Sequence, residues 1–301
     1  MPEDGSRGAG TAVPDTRLGS YLRAVRCAAD QQPYPGLAVE LDAPPLADVY
    51  VPRRAESRSG RAQAPAEHVF TAESRLRVLL AGPGHGKSTL LRHHLASASR
   101  HLLHHRAEAT TTTDPDPVLD SIPVLDPIPV PVLIRATELV ASPLLAPALA
   151  AAVTEALGPF GLREALAEDF FRRRPHPGAP WLVMVDGLDE VPDRTARLSL
   201  LDRLAREAAH KDSPYRFLIA TRPLPGGELD RLDQAVDRFT LQPFTDADVR
   251  TYAEKRFSSL PDADRHVRAF ANGIRRTRLE GLACIPLMTA MLCHLYAADV
   301  D

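Results

Sequence analysis

Lysine is almost missing from this chain. Of its 36 basic side chains only Lys87, Lys211 and Lys255 are lysines, and the rest are arginines. Beside abundant alanine and proline, that scarcity reads as the codon bias of a GC-rich, bacterial genome. It also makes a lysine kept at a motif position informative. Cysteine is as scarce: Cys27, Cys284 and Cys293 are scattered. Their spacing excludes a disulfide framework or a thiolate metal centre and fits reduced structural thiols. No sign of charge dominates. The net charge is −3, so the chain lacks the field of a nucleic-acid binder. No apolar run approaches the roughly 20 residues that span a bilayer. Met1-Pro2-Glu3-Asp4-Gly5 lacks the shape of a signal peptide, and a cytoplasmic location is expected. No internal repeat is visible. The 301 residues suffice for a substantial core in one large domain or two modest ones.

What is present is concentrated at the ends of three apolar runs. Val78, Leu79 and Leu80 lead into Ala81-Gly82-Pro83-Gly84-His85-Gly86-Lys87-Ser88-Thr89, and an apolar-periodic helix follows. Glycines let a backbone curl until several N–H groups point into one small space, and a new helix adds its positive end. In such a loop Lys87 reaches the β- and γ-phosphates of a nucleotide and the Ser88 hydroxyl binds Mg²⁺. The strict pattern has glycine where Ala81 stands, which is tolerable if Ala81 keeps a negative φ. The bland alternative is a glycine-rich turn that only packs a strand against a helix.

The second run, Trp181 to Val185, reads as a buried parallel strand. It ends in Asp186-Gly187-Leu188-Asp189-Glu190. Carboxylates crowded at a strand end repel one another unless a cation shares the site. Asp186 is placed to hold Mg²⁺, directly or through water, and Asp189 or Glu190 to polarise a water for attack on a γ-phosphate. The third run, Arg216 to Ala220, ends in Thr221-Arg222-Pro223. Proline cannot continue a central strand, so Arg222 falls at the carboxyl edge of the sheet, where open α/β folds bind ligands. A guanidinium there can sense a γ-phosphate.

Together these strand ends resemble the NACHT family of P-loop NTPases, within the STAND class of signalling ATPases. Gly82 to Thr89 is similar to the family's Walker A. Asp186 to Glu190 is similar to its Walker B, with a small residue after the metal aspartate. Ala220-Thr221-Arg222-Pro223 resembles its sensor-1 strand end, and Pro129 to Arg135 its second strand. Leu241 to Val249 resembles the segment entering the family's helical subdomain, and Cys284-Ile285-Pro286-Leu287 the loop whose proline packs on adenine. Val49-Tyr50-Val51-Pro52 resembles a lead-in strand of bacterial members. The resemblance covers roughly residues 48 to 300. It implies an ATP-binding switch, with ADP in the resting state, that hydrolyses slowly and self-associates on activation, in bacterial defence or regulation. It also implies that Thr89 reaches the α-phosphate, and that a sensor or effector partner exists. In the family a winged-helix domain follows the helical subdomain, so the chain reads as a fragment or as one whose partner supplies that part. The alternative is a nucleotide-gated scaffold with negligible hydrolysis. No Asn-Lys-x-Asp pattern marks a guanine site, which favours ATP over GTP.

The expected fold is therefore α/β: a P-loop NTPase with a central parallel sheet flanked by helices, then a small helical subdomain. Residues 1–47 form an N-terminal segment, residues 48–243 the NTPase core and residues 244–301 the helical part. Residues 1 to about 15 read as disordered, residues 53–67 as a flexible connector, and 104–127 as a disordered insertion. Leu18 to Ala29 reads as an amphipathic helix, packed on the core or serving as an adaptor. Ser142 to Leu157 is a helix stopped by Gly158-Pro159. Asp193 caps another through Ala209, with Leu198, Leu201, Ala205 and Ala208 inward. Thr245 with Asp248 forms a capping box. His93, His94, His101, His104 and His105 are expected on the exposed face and trailing end of the helix after the loop, not at a metal site. His85 is expected to face solvent or phosphate.

Overall fold

Seven strands form one sheet. A computed structural model of the chain describes residues 15–31, 45–58, 60–111, 128–232 and 236–298. The strands are β1 (Arg54–Ser57), β2 (Gly60–Pro65), β3 (Leu76–Leu80), β4 (Val130–Arg135), β5 (Trp181–Asp186), β6 (Tyr215–Thr221) and β7 (Asp237–Leu241). Their order across the sheet is β2-β1-β7-β3-β6-β5-β4. Every pairing from β7 to β4 is parallel. β1 alone runs antiparallel to both its neighbours. Strands buried on both faces need unbroken apolar runs, and Val78, Leu79, Val183, Met184, Val185, Phe217, Leu218 and Ile219 are each fully buried.

Register decides where the chemistry lies. Leu80 pairs with Thr221, and Ala220 with Asp186, which also pairs with Arg135. Four strands thus end level with one another. Whatever follows each of them in sequence gathers at one edge of the sheet.

Helices cover the sheet. α1 (Asp15–Gln31) packs on α4 (Lys87–Thr111). Its Leu18, Tyr21, Leu22 and Val25 are buried, and the Tyr21 hydroxyl donates to the Pro131 carbonyl at 2.7 Å. It is a core helix rather than a free adaptor. Short helices α2 (Leu46–Val49) and α3 (His68–Thr71) precede β3; α5 (Ala136–Val140), α6 (Leu145–Leu157) and α7 (Glu168–Arg172) lie between β4 and β5. α8 (Arg194–Ala209) starts where expected, with the Asp193 carboxylate accepting from the Ala196 N–H. Its inward face is carried by Leu200, Leu201, Leu204 and Ala208, whereas Leu198 and Ala205 are only partly buried.

After β7 the regular elements among the described residues are all helices: α9 (Asp246–Arg256), α10 (Ala263–Thr277), α11 (Glu280–Ala283) and α12 (Pro286–Ala298). These helices bury a second, separate core around Phe257, Phe270 and Cys293. The Thr245–Asp248 capping box forms in both directions. Val49 and Val51 belong to this second core although they come long before it in sequence.

Four expectations give way. Residues 53–67 are no connector but the β1–β2 hairpin, because β7 offers them backbone partners: Ala55 pairs with Leu241 and Ser57 with Phe239. Val49 to Pro52 is no strand. Val49 closes a helical turn, and Tyr50 leaves it extended to stack on His93. The expected insertion at 104–127 starts late, since α4 continues to Thr111. Its remainder, 112–127, lies outside the described residues, as do residues 1–14. His93 and His94 are not on an exposed face. They stack on Tyr50 and Phe70 with ring centroids 3.6 Å apart in each pair. Burial holds His94 well below the usual imidazole range, at about 3, and pushes His93 down too. His101, His104 and His105 are exposed.

Candidate functional site

The loop after β3 owes its shape to two glycines. Gly84 and Gly86 have φ of +70° and +84°, a region that side chains with a Cβ avoid. A Cβ on Gly84 would come within 3.1 Å of Ile285 and Leu287, and one on Gly86 within 3.0 Å of Arg53. Gly82 has a packing reason: the His85 ring lies where its Cβ would be, 2.9 Å away. Ala81 is not among the residues with positive φ, so alanine fits there without strain. It is buried, and its N–H donates to the Thr221 carbonyl at 3.2 Å. α4 then starts at Lys87, with the Leu90 N–H on the Gly86 carbonyl at 2.9 Å.

The Lys87 ammonium reaches back across the loop to the carbonyls of Ala81 (2.9 Å) and Gly82 (3.2 Å). Burial lowers its pKa and Arg222 adds to that, while Asp189, Asp186 and Glu190 oppose. Lys87 is therefore within electrostatic reach of all four groups. The His85 Nδ1 lies 3.0 Å from the Pro83 carbonyl.

The acidic turn after β5 needs its own glycine. Gly187 has φ of +72°, and a Cβ there would lie 2.8 Å from the Glu190 carboxyl carbon. The small residue that follows Asp186 is thus required twice, by its backbone and by its neighbour. Asp189 is spoken for. Its carboxylate meets the Arg222 Nε at 3.0 Å and accepts from the Arg222 N–H at 3.1 Å. The Thr221 hydroxyl lies 3.4 Å from the same carboxylate. Arg222 is half exposed, so this ion pair orients two side chains more than it stabilises the fold. Glu190 is exposed.

These pieces line one cavity of about 200 Å³. Pro83, Gly84, His85, Gly86, Lys87, Ser88, Thr89, Asp186, Asp189, Glu190, Arg222 and Pro286 all line it, and only Gly82 of the candidate residues does not. The loop and the acidic turn supply its polar lining. Val49, Val51, Phe244, Tyr252, Pro286, Leu287 and Ala290 supply its apolar lining. Such a mixed cleft suits a ligand with a charged head and a flat apolar tail. Lys87 and Arg222 line it together with Asp186, Asp189 and Glu190, a mixed set that suits a polyanion bound with a divalent metal.

Several lining residues carry no motif signal. Arg53 is one: only 6% exposed, it donates to the His85 carbonyl at 2.8 Å and to the Gln242 carbonyl, and sits 4.7 Å over the Phe244 ring. Burial lowers its pKa to about 10. Tyr252 and Phe244 come from the helical part and reach the cavity only through its docking. A cation beside a strand of unremarkable composition gives sequence reading nothing to hold.

No protein-family model matches the chain, and the curated proteins contain no match to it. Among the described residues no helix is long and apolar enough to cross a membrane.

Proposed function

We propose that this chain is a P-loop NTPase of the NACHT type, an ATP-binding switch that hydrolyses its nucleotide slowly. One observation carries the reading: the loop 83–89, Asp186, Glu190 and Arg222 come from three separate strand ends and line a single cavity. The donor set fits the nucleotide. Two left-handed glycines let the loop curl, Lys87 supplies a cation, and Ser88 with Asp186 would supply hard oxygen ligands for Mg²⁺.

In this reading the loop amides and Lys87 would hold the phosphates, with Thr89 toward the α-phosphate, and Ser88 and Asp186 would hold Mg²⁺, which would supply positive charge to the phosphates. The apolar wall, Pro286 included, takes the base. Asp189 is committed to Arg222. Glu190 is therefore the carboxylate left to orient a water, and Asp189 aims the guanidinium that senses the γ-phosphate. Slow turnover is what the resemblance to NACHT proteins implies. That suits a switch whose two nucleotide states favour different arrangements of sheet and helical part, with self-association and a sensor or effector partner downstream. Moving such an equilibrium from 1:99 to 99:1 takes about 5.5 kcal/mol of differential binding.

Thermal unfolding with ATP·Mg²⁺, ADP or no nucleotide tests the reading. Wild type is expected to gain stability with nucleotide, and Lys87→Ala to lose that gain. An equal gain in both proteins overturns the site. Single-turnover hydrolysis then separates enzyme from scaffold. Glu190→Gln is expected to cut the rate on the order of a hundredfold, and equal background rates in both proteins favour the nucleotide-gated scaffold.

A further inference from the structure

Two carbonyls of the loop are held by groups outside it. The Gly84 carbonyl accepts from the Leu287 N–H, at the start of α12, at 3.0 Å. The His85 carbonyl accepts from Arg53 at 2.8 Å. In a trans peptide the C=O of one residue and the N–H of the next point opposite ways, and no peptide here is cis. Holding the Gly84 oxygen turns the His85 N–H back toward the Gly82 oxygen, 3.4 Å away. Holding the His85 oxygen turns the Gly86 N–H to the opposite side, away from Arg53.

Arg53 is built into this position. Its guanidinium takes the space that a side chain at residue 86 would need. Its second amino group is bonded to the carbonyl of Gln242, just past the end of β7, and its face lies over Phe244. Phe244 in turn donates its N–H to the Cys284 carbonyl at 2.8 Å, two residues before Pro286. One side chain therefore touches the loop, the exit from the sheet and the first ring of the helical part.

We propose that Arg53 is a positioning residue: it orients the 85–86 peptide so that the Gly86 N–H is presented to a diphosphate, and it makes that presentation depend on the docking of the helical part. The inference rests on the nucleotide reading of the site. It predicts that Arg53 serves the β-phosphate and not the base. Nucleotides with at least two phosphates feel its loss, and AMP does not. Removing a buried charge-assisted bond weakens binding on the order of ten- to a hundredfold.

The test compares wild type, Arg53→Met, Arg53→Lys and Arg54→Ala. Methionine keeps the buried stem without donors, and lysine restores one donor and the charge. Arg54 ties β1 to Asp248 of α9 at 2.6 Å but does not line the cavity, so its loss controls for general loosening. Calorimetry with ADP, ATP·Mg²⁺ and AMP is expected to show ten- to hundredfold weaker ADP and ATP binding for Arg53→Met, with AMP unchanged. Partial recovery is expected in Arg53→Lys and wild-type affinity in Arg54→Ala. Equal ADP affinity in Arg53→Met and wild type overturns the proposal, as does an equal loss for AMP. Hydrogen exchange without nucleotide reads the clamp independently. Faster exchange at both residues 84–90 and 243–246 in Arg53→Met is expected, and unchanged exchange in either segment overturns the coupling. If wild type binds no nucleotide, the site reading fails, and exchange alone still decides the clamp.

Discussion

The sheet and the helical part reach stability by different routes. The sheet's core is made by β3, β5 and β6, mostly apolar strands that are buried on both faces and paired with neighbours on both sides. The helical part has a smaller core that is incomplete without Val49 and Val51 from the N-terminal side. Among the described residues its ties to the sheet include Arg53 over the Phe244 ring, Arg54 to Asp248, Lys255 to the Tyr50 carbonyl at 2.8 Å, and Leu287 to Gly84. The cavity lies along this joint: strand ends of the sheet supply its polar lining, and the helical part with Val49 and Val51 supplies its apolar lining. In the proposed reading, that division would let nucleotide binding at the strand ends bias the position of the helical part.

Core truncation tests the comparison most severely. Phe217 in β6 and Phe257 in α9's C-cap are both fully buried. Each change to alanine is expected to cost about 3–5 kcal/mol. In Phe217→Ala, chemical denaturation should show a loss of the whole fold's stability. In Phe257→Ala, hydrogen exchange should rise through residues 246–298 while β3, β5 and β6 stay protected. Matching exchange patterns for the two variants would erase the distinction.

Gly187→Ala probes the sheet's side of the joint. A left-handed alanine costs about 1 kcal/mol, and the new Cβ must displace the Glu190 carboxylate. A modest fall in denaturation midpoint with a much larger fall in single-turnover hydrolysis is expected. A rate that falls no further than Glu190→Gln would still fit, whereas an unchanged rate would show that Glu190 is not the group that matters.

Acid pH strains the seam between α4 and the segments packed on it. His93 and His94 are held neutral by burial. The unfolded chain protonates them near pH 6.5, but the folded one takes up the His94 proton only near pH 3. Stability is therefore full above about pH 6.5 and falls as pH drops below it, by about 1 kcal/mol per unit for His94. His94→Phe keeps the stack on Phe70 and should flatten that slope between pH 6 and 4 in urea titrations at each pH.

Asp248→Ala carries the smallest effect, about 1 kcal/mol. It removes the capping box of α9 together with the Arg54 pair. The melting temperature should drop slightly, and the helical part's exchange should rise without change in the sheet.

Much of the fold and site was legible because its signals are local. An apolar run that ends in glycine, aspartate or Thr-Arg-Pro states both a strand and its terminus. Asp193 and Thr245 mark helix starts by side-chain chemistry that needs no distant partner. The hairpin of β1 and β2 was illegible because Arg54 to Ser57 has no pattern of its own. It is a strand only because β7 lies beside it. The burial of His93 and His94 was hidden for the same reason: Tyr50 and Phe70 are brought to them by chain folding.

The sequence by itself determined the strand ends, their order along the chain and the residue types that stand at each. Those follow from periodicity, from glycine's freedom of φ and from proline's lack of a donor. Only the tertiary structure decided that these ends are level, that Asp189 answers to Arg222, and that Arg53 grips the loop from outside. Register, ion pairing and burial are properties of two segments at once. No single stretch of sequence contains them.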